Sequence, residues 1–257
     1  MPLIRAPLVR VVAQVSFAPI LAIRNPDKVA GFQEAIRATY PNLTQEQLPR
    51  LTLQADGTPN IQDVVIWRFS SSLKSLQWRV SLGIDFVALE TSVYKSRRDF
   101  LERLEIILSN VEKNFRPSEA YRLGLRYVDR IVGDGFEQID SLISPGVLGI
   151  SRRDDGAQSA LGKAIKFLMT EAHLEADEGI IQARWGHLPP NQTYDPDTLE
   201  GINKSSWTID LDMFTRSPQP FVSSDLLALA TVFAERNYSV FREMVTPDFL
   251  RFYGGEV

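Results

Sequence analysis

The sequence predicts an α+β fold with a largely antiparallel sheet, arranged in two pseudo-repeated halves that each run strand, helix, three strands, helix. Nearly every strand-like segment alternates apolar and polar residues, which indicates one packed face and one polar face. Two long segments, 97–115 and 223–245, carry apolar residues at helical spacing and would cover the packed faces. We expect a single domain, 1–257, with possible halves 1–117 and 118–257.

The N-terminal half begins with an alternating strand at 8–17. Asn25 caps a helix that runs to about Tyr40. The segment 41–59, which is polar and punctuated by prolines, is predicted to be mostly loop. Three strands follow, and their short connections favour adjacent antiparallel pairing. These strands cover 64–70, 76–82 and 84–91.

A long helix ends the N-terminal half, and the rest of the chain follows a similar order. Ser96 and Asp99 form a predicted capping box for the helix that ends near 115. A long strand at 120–132 comes next, then a turn with a short helix and a polar loop at 151–159. A capped helix begins near Ser223, and a short helix closes the chain. Three strands are predicted between the polar loop and the helix that begins near Ser223, and they cover 164–175, 179–187 and 206–214.

Composition bounds the possible functions. At 257 residues and 44% hydrophobic content, the chain can bury a substantial core. A formal net charge of -4 argues against a dedicated nucleic-acid binder, although it leaves room for a local basic groove. The absence of cysteine excludes disulfides and thiolate metal sites and favours a cytoplasmic location. No segment approaches the roughly 18 apolar residues of a membrane span.

The most specific feature is a set of arginines on the polar faces of strands. In YRLGLRYVDRI, residues 121–131, alternation places Arg122, Arg126 and Arg130 on one face. Gly124 between them would leave room for a ligand or a bulge. A guanidinium group can bind two oxygens of a phosphate or carboxylate at once. The residues predicted to bind a ligand or partner are Arg68, Arg79, Arg122, Arg126, Arg130, Arg184 and Trp185.

Trp185 belongs to this set because it lies near a loop, where its ring would be partly exposed for stacking. The arginines have a second interpretation, since they can pair with the protein's own carboxylates across strands. Internal pairing is the favoured interpretation, because charge pairs are commonplace in proteins. The candidate counter-charges are Asp85, Glu90, Asp129, Asp210 and Asp212.

Catalytic motifs are sparse in this sequence. It contains no nucleophile elbow, no P-loop and no dinucleotide-binding glycine motif, and it has only two histidines. Glu171, His173 and Glu175 share one strand face, and Asp210 and Asp212 share another, so a carboxylate site for metal or phosphate chemistry stays open as an alternative. No catalytic residue, metal ligand or cofactor is predicted.

Four phrases of the sequence carry a family resemblance. They are APLVRVVAQVSFAPIL at 6–21, FQEAIRATYP at 32–41, DFVALETSVYKSRRDFLERL at 85–104 and YRLGLRYVDRI at 121–131. These phrases resemble a sporadically distributed bacterial family of about this length that has no assigned function. The resemblance implies no catalytic residue. The patchy occurrence of the family implies an accessory gene of the kind associated with defence or toxin–antitoxin loci.

The leading hypothesis is therefore a non-enzymatic binding or assembly protein of such a locus. Its arginine-bearing face would meet an anionic ligand, a protein partner from a neighbouring gene or a second copy of the chain. One alternative is a metal- or phosphate-handling enzyme that uses the strand carboxylates. The other is a nucleic-acid sensor, whose salt-sensitive binding would need Arg122 and Arg126.

Overall fold

The computed structural model describes residues 3–53, 59–152 and 162–255, and it confirms an α+β protein with a large antiparallel sheet. The strands are β1 (Leu8–Phe17), β2 (Asn42–Leu53), β3 (Pro59–Ser70), β4 (Trp78–Gly83), β5 (Phe86–Thr91), β6 (Glu119–Ile131), β7 (Leu168–Ala176), β8 (Gly179–Leu188), β9 (Ser206–Phe214) and β10 (Gln219–Pro220). The helices are α1 (Pro26–Ile36), α2 (Arg97–Phe115), α3 (Asp134–Glu137), α4 (Ile139–Leu142), α5 (Pro145–Leu148), α6 (Ser223–Met244) and α7 (Pro247–Phe252).

The described strands follow the order β2-β3-β4-β5-β1-β6-β9-β8-β7, and β10 pairs with β6. β3, β4 and β5 pair with their neighbours in antiparallel fashion, which confirms the pairing expected from their short connections. β7, β8 and β9 form a second antiparallel run. The pseudo-repeat of two halves stays a prediction.

The expected loop at 41–59 is wrong, because Asn42–Leu53 forms the strand β2. β2 pairs with β3 along its whole length, from Asn42 opposite Ser70 onward. It lies at the end of the strand order, where one row of backbone N–H groups has no partner within the sheet. An edge strand therefore tolerates Pro49, which lacks an N–H group. Proline suggested a loop in the sequence, whereas Pro49 belongs to a strand at the edge of the sheet.

Helix ends follow the predicted caps. The Asn25 side chain accepts a hydrogen bond of 2.9 Å from the Asp27 backbone N–H, and the Ser96 hydroxyl accepts one of 3.1 Å from the Asp99 N–H. α1 ends at Ile36, about one turn before the expected end. The polar loop predicted at 151–159 falls almost entirely outside the described residues.

The chain contains two compact units. Unit 1 comprises Met1–Val11, Leu125–Phe214 and Val232–Val257. Unit 2 comprises Val12–Gly124 and Thr215–Thr231. Each unit combines segments that are distant in sequence, whereas the predicted halves are contiguous. Whether the chain behaves as a single domain stays a prediction.

Unit 1 has a helix on one face of its sheet and a long connection on the other. On the helix face, the Asn237 side chain of α6 donates a 2.9 Å hydrogen bond to the Leu125 carbonyl of β6. On the opposite face runs the connection from β8 to β9, residues 189–205, which we call the strap. Its Leu199 is 1% exposed and packs against Val128 and Leu188. The strap therefore covers the face on which the β6 arginines lie.

Unit 2 has an aromatic core. The Phe32 ring of α1 lies 5.6 Å from the Phe69 ring of β3, centroid to centroid. The Trp67 indole N–H donates a 2.7 Å hydrogen bond to the Ile23 carbonyl, so this buried ring has its polar group satisfied.

None of the helices in the described part of the chain has the length and apolar character that a membrane-spanning helix needs.

Candidate functional site

Arg126 is the centre of an ion-pair network on the strap face of unit 1. Its Nε and Nη2 atoms each donate a 2.8 Å hydrogen bond to a different carboxylate oxygen of Asp210. Its Nη1 atom donates to Asp195 Oδ2 at 2.7 Å and to the Thr198 hydroxyl at 3.2 Å. Asp210 is only 1% exposed, and a buried carboxylate needs such bidentate pairing to stay charged. Arg126 thus ties the strap to β6 and β9.

Protonation in this network follows from burial and pairing. The Tyr194 hydroxyl donates a 2.8 Å hydrogen bond to Asp210, and burial together with that negative charge raises the pKa of Tyr194. Burial opposes the charge on Arg126, but the hydrogen bonds and charges of Asp210 and Asp195 outweigh it and raise the pKa of Arg126. Burial also opposes ionisation of Asp195, yet Arg126 keeps its pKa below the usual value. At neutral pH Arg126 and Asp195 are both charged.

Charged side chains alternate in sign across four strands of unit 1. Asp210 in β9 is the register partner of Arg184 in β8, and Arg184 is the register partner of Glu171 in β7. The Arg184 Nε atom donates a 2.6 Å hydrogen bond to Glu171, and this bond is the main cause that lowers the pKa of Glu171 to about 2. With Arg126 in β6, the row reads arginine, aspartate, arginine, glutamate. Asp210 was among the counter-charges expected from the sequence, whereas Glu171 was not.

Arg130, four residues along β6, is paired less completely. Its Nη1 atom donates a 2.5 Å hydrogen bond to the main-chain carbonyl of Glu200 in the strap. Its Nε and Nη2 atoms are buried and have no hydrogen-bond partner among the described residues, and the whole residue is 7% exposed. Burial lowers the pKa of Arg130, although the charges of Tyr194 and Glu200 act in the opposite direction. Arg126 uses the same two atoms, Nε and Nη2, to bind Asp210, whereas on Arg130 they have no partner among the described residues.

The two predicted arginines of β3 and β4 lie in unit 2 and bind carboxylates there. The Arg68 Nε atom donates to Glu46 at 2.8 Å, and its Nη1 atom donates to the Ser81 hydroxyl at 2.7 Å. The Arg79 Nε atom donates to the Glu90 carboxylate. Glu90 was among the expected counter-charges, whereas Glu46 lies in the strand that the sequence had suggested was loop.

Arg122 and Trp185 complete the predicted set. A β-carbon placed on Gly124 would lie 2.5 Å from Arg122 Nη1, so the side chain of Arg122 itself occupies the room expected there for a ligand. Trp185 in unit 1 is half-buried, and its indole N–H donates a 2.9 Å hydrogen bond to the Val147 carbonyl.

The carboxylates singled out from the sequence do not form a metal centre. His173 Nε2 lies 3.1 Å from Glu171 Oε1, and Asp210 is held by Arg126. Within the described ranges, no group of three or more histidine, aspartate or glutamate side chains is arranged to hold a metal ion. The enzyme alternative requires that Glu171, His173, Glu175, Asp210 and Asp212 converge in one pocket, and it stays a prediction.

Asp129 occupies a position that the sequence interpretation missed. It is 7% exposed, and no described side chain donates a hydrogen bond to its carboxylate. Burial, followed by the negative charge of Asp210, raises the pKa of Asp129 to about 7. Burial and then the charge of Asp129 raise the pKa of Tyr253 to about 12. Expected as a counter-charge for arginine, Asp129 has no arginine partner among the described residues.

A scan of the sequence against protein-family models matches no family, and a search of the curated proteins finds no significant match. Function is therefore inferred from the contacts of Arg126 and Arg130 themselves.

Proposed function

We propose that the chain is a non-enzymatic binding protein that takes an anionic group of a ligand or partner at Arg130. The observation that supports this proposal is the pair of buried donors, Nε and Nη2, that no described residue satisfies. A guanidinium group stays charged at physiological pH. Burying it with open donors costs free energy unless an anion completes its hydrogen bonds. A ligand would supply that anion.

Arg126 indicates which chemical group fits. The same two atoms of Arg126, Nε and Nη2, hold the two oxygens of Asp210 at 2.8 Å each. A carboxylate or a phosphate presents a pair of oxygens at this spacing. The group bound at Arg130 is thus a carboxylate or a phosphate, whether it belongs to a small molecule or to a protein.

The strap governs access to this site. Glu200 binds Arg130 through its main-chain carbonyl, and Asp195 anchors the strap to Arg126. Because the open donors of Arg130 are buried, an incoming anion has to displace the strap near Glu200. The ion pair at Asp195 holds the other part of the strap in place, so opening is local.

Titration with two simple anions tests the proposal. Inorganic phosphate and citrate, added at constant ionic strength, are expected to raise the free energy of unfolding of the wild-type protein, by about 1.4 kcal/mol at ten times the dissociation constant. Arg130→Met should abolish the increase. Arg184→Met is the matched control, because Arg184 lies on the same face but is paired with Glu171. An equal response in wild type and Arg130→Met would place anion binding elsewhere.

The stability of Arg130→Met without ligand provides a second test. Methionine keeps much of the apolar stem and removes a buried charge that lacks partners. The free energy of unfolding of Arg130→Met is expected to stay within about 1 kcal/mol of the wild-type value or to exceed it. This result is typical of residues whose role is in function rather than in stability. A loss of about 3 kcal/mol or more would show that Arg130 has a structural role and would contradict the proposal.

A protein partner that offers an acidic side chain or a terminal carboxylate fits this site as well as a small anion does. The connection to defence or toxin–antitoxin loci stays a prediction from the family resemblance, and the cytoplasmic location stays a prediction from composition. Co-purification of a neighbouring gene's product with wild type but not with Arg130→Met would support a protein partner. Co-purification with both would locate the contact elsewhere.

A further inference from the structure

Two connections of unit 2 meet at one end of its sheet. One is the turn from β3 to β4, residues 71–77, and the other leads from β5 into the first turn of α2, residues 92–98. The Ser92 backbone N–H donates a 3.1 Å hydrogen bond to the Gln77 carbonyl, so the two connections lie side by side. They form one surface, which we call the basic tip.

The basic tip presents aliphatic side chains to solvent. Leu73 is 75% exposed and Val93 is 42% exposed. The turn at Leu73 is held by a hydroxyl group, because the Lys74 backbone N–H donates a 3.2 Å hydrogen bond to Ser72 Oγ. A single exposed leucine would need no explanation. Here, however, an exposed lysine follows each exposed aliphatic residue, Lys74 directly after Leu73 and Lys95 two positions after Val93.

The charge of the basic tip is opposite in sign to that of the rest of the chain. The tip contains four of the 28 basic residues and no acidic residue, which leaves 24 basic against 32 acidic residues elsewhere. Within the tip, the Arg98 Nε atom lies 2.7 Å from the Glu102 carboxylate. Lys74 and Lys95 have no carboxylate partner among the described residues. Open positive charge therefore lies beside the exposed aliphatic side chains.

We propose that the basic tip docks on the surface of an anionic lipid bilayer. Leu73 and Val93 enter the headgroup region, and Lys74 and Lys95 lie at the lipid phosphates. Binding at such a surface combines burial of apolar side chains with attraction between cations and anionic lipids. Lysine suits this position because its aliphatic stem follows the apolar side chains while its ammonium group stays at the interface. Peripheral binding of this kind requires no membrane-spanning helix.

A nucleic acid, the other polyanion that lysines attract, fits the basic tip less well. Proteins that bind single strands use exposed aromatic rings on which the bases stack. The ring of Tyr94 is the one aromatic ring of the tip, and it is half-buried and lies 6.1 Å from the Phe100 ring of α2, centroid to centroid. Leu73 and Val93 would stay in water at a phosphate backbone, whereas they leave water between lipid headgroups. The exposed aliphatic residues thus favour a lipid surface.

Co-sedimentation with vesicles tests the proposal. Wild type should bind vesicles of phosphatidylcholine mixed with phosphatidylserine, and it should bind vesicles of phosphatidylcholine alone far more weakly. Lys74→Gln and Lys95→Gln should each lower the partition coefficient on the mixed vesicles about fivefold, because each removes one cation from the anionic surface. Lys28→Gln is the matched control, since it removes an exposed lysine of the same unit outside the tip.

Three results of this experiment would overturn the proposal. The first is equal binding of wild type to both kinds of vesicle, or no binding to either. The second is a loss of binding in Lys28→Gln as large as in Lys74→Gln. The third is binding to a DNA duplex without binding to the mixed vesicles, which would assign the tip to a nucleic acid.

The fluorescence of an added tryptophan tests insertion of the tip. The emission of Leu73→Trp should shift to shorter wavelength when mixed vesicles are added, because the indole ring leaves water. Leu21→Trp is the matched control, since Leu21 is 65% exposed at the other end of β4, where the Ile20 N–H bonds to the Ile84 carbonyl. No shift in Leu73→Trp, or an equal shift in both variants, would refute docking through the tip.

This proposal and anion binding at Arg130 can fail separately. Arg130 belongs to unit 1, whereas the basic tip belongs to unit 2. Arg130→Met should therefore bind mixed vesicles as wild type does, and Lys74→Gln should retain the stabilisation by phosphate and citrate. Loss of vesicle binding in Arg130→Met would assign the lipid contact to Arg130 and overturn docking through the tip.

Discussion

Replacing Asp129 by asparagine should stabilise the protein at alkaline pH. The carboxylate is buried in unit 1, and burial and the charge of Asp210 raise the pKa of Asp129 from its ordinary value of 3.8 to about 7. At about 1.4 kcal/mol for each pKa unit, this difference corresponds to about 4 kcal/mol. Asparagine has the same shape but no charge, so it removes the cost of ionising a buried carboxylate.

The pH dependence has a definite sign. A folded-state pKa above the unfolded value means that folding favours the protonated carboxyl group. Its favourable contribution is complete below about pH 3.8 and is lost as the pH rises through about 7. Wild type and Asp129→Asn should therefore have similar free energies of unfolding near pH 4. Between pH 4 and pH 8 the variant should become more stable, by up to about 4 kcal/mol.

Urea denaturation followed by tryptophan fluorescence, repeated from pH 4 to pH 9, measures this difference directly. Asp197→Asn serves as the control, because it makes the same substitution at an exposed aspartate of unit 1. A constant difference between wild type and Asp129→Asn across the range would refute the reasoning. So would a variant that is less stable than wild type at pH 8.

Three further changes have expected magnitudes in the same urea assay. Arg126→Met leaves Asp210 and Asp195 without their counter-charge and should lower the free energy of unfolding by about 3–5 kcal/mol; a loss under 1 kcal/mol would contradict the ion-pair network. Tyr194→Phe removes a hydrogen bond to a charged acceptor and should cost about 1.5–3 kcal/mol, and no loss would show that water replaces the hydroxyl. Ser96→Ala removes the cap of α2 and should cost about 1 kcal/mol, whereas Ser96→Thr should retain most of the stability.

The sequence predicted the parts of the fold that depend on periodicity. β1, β4, β5 and the long helix α2 have clear alternation or helical spacing, and they lie where expected. β2 was missed because an edge strand buries little and can contain a proline, so its sequence resembles a loop. Its partner β3, rather than its own composition, makes it a strand.

The candidate site was predictable in part. Alternation placed Arg126 and Arg130 on one face, and both do bind the strap on that face. The strap residues that bind them lie in a segment without periodicity, so no sequence pattern could identify them. Asp129 did leave a signal, since it falls in the apolar phase of YRLGLRYVDRI with Leu125 and Ile131. A charged residue in that phase indicates a buried carboxylate.

The Arg126–Asp210 ion pair joins residues that are 84 positions apart in the sequence. Closing so long a loop is slow, and an ion pair gains its full strength only once water has been excluded around it. The pair should therefore form after the transition state of folding. In stopped-flow kinetics, Arg126→Met should accelerate unfolding and leave the refolding rate nearly unchanged. On this view the strap docks last during folding, and its ion pair with Arg126 determines the unfolding rate of the protein rather than its folding rate.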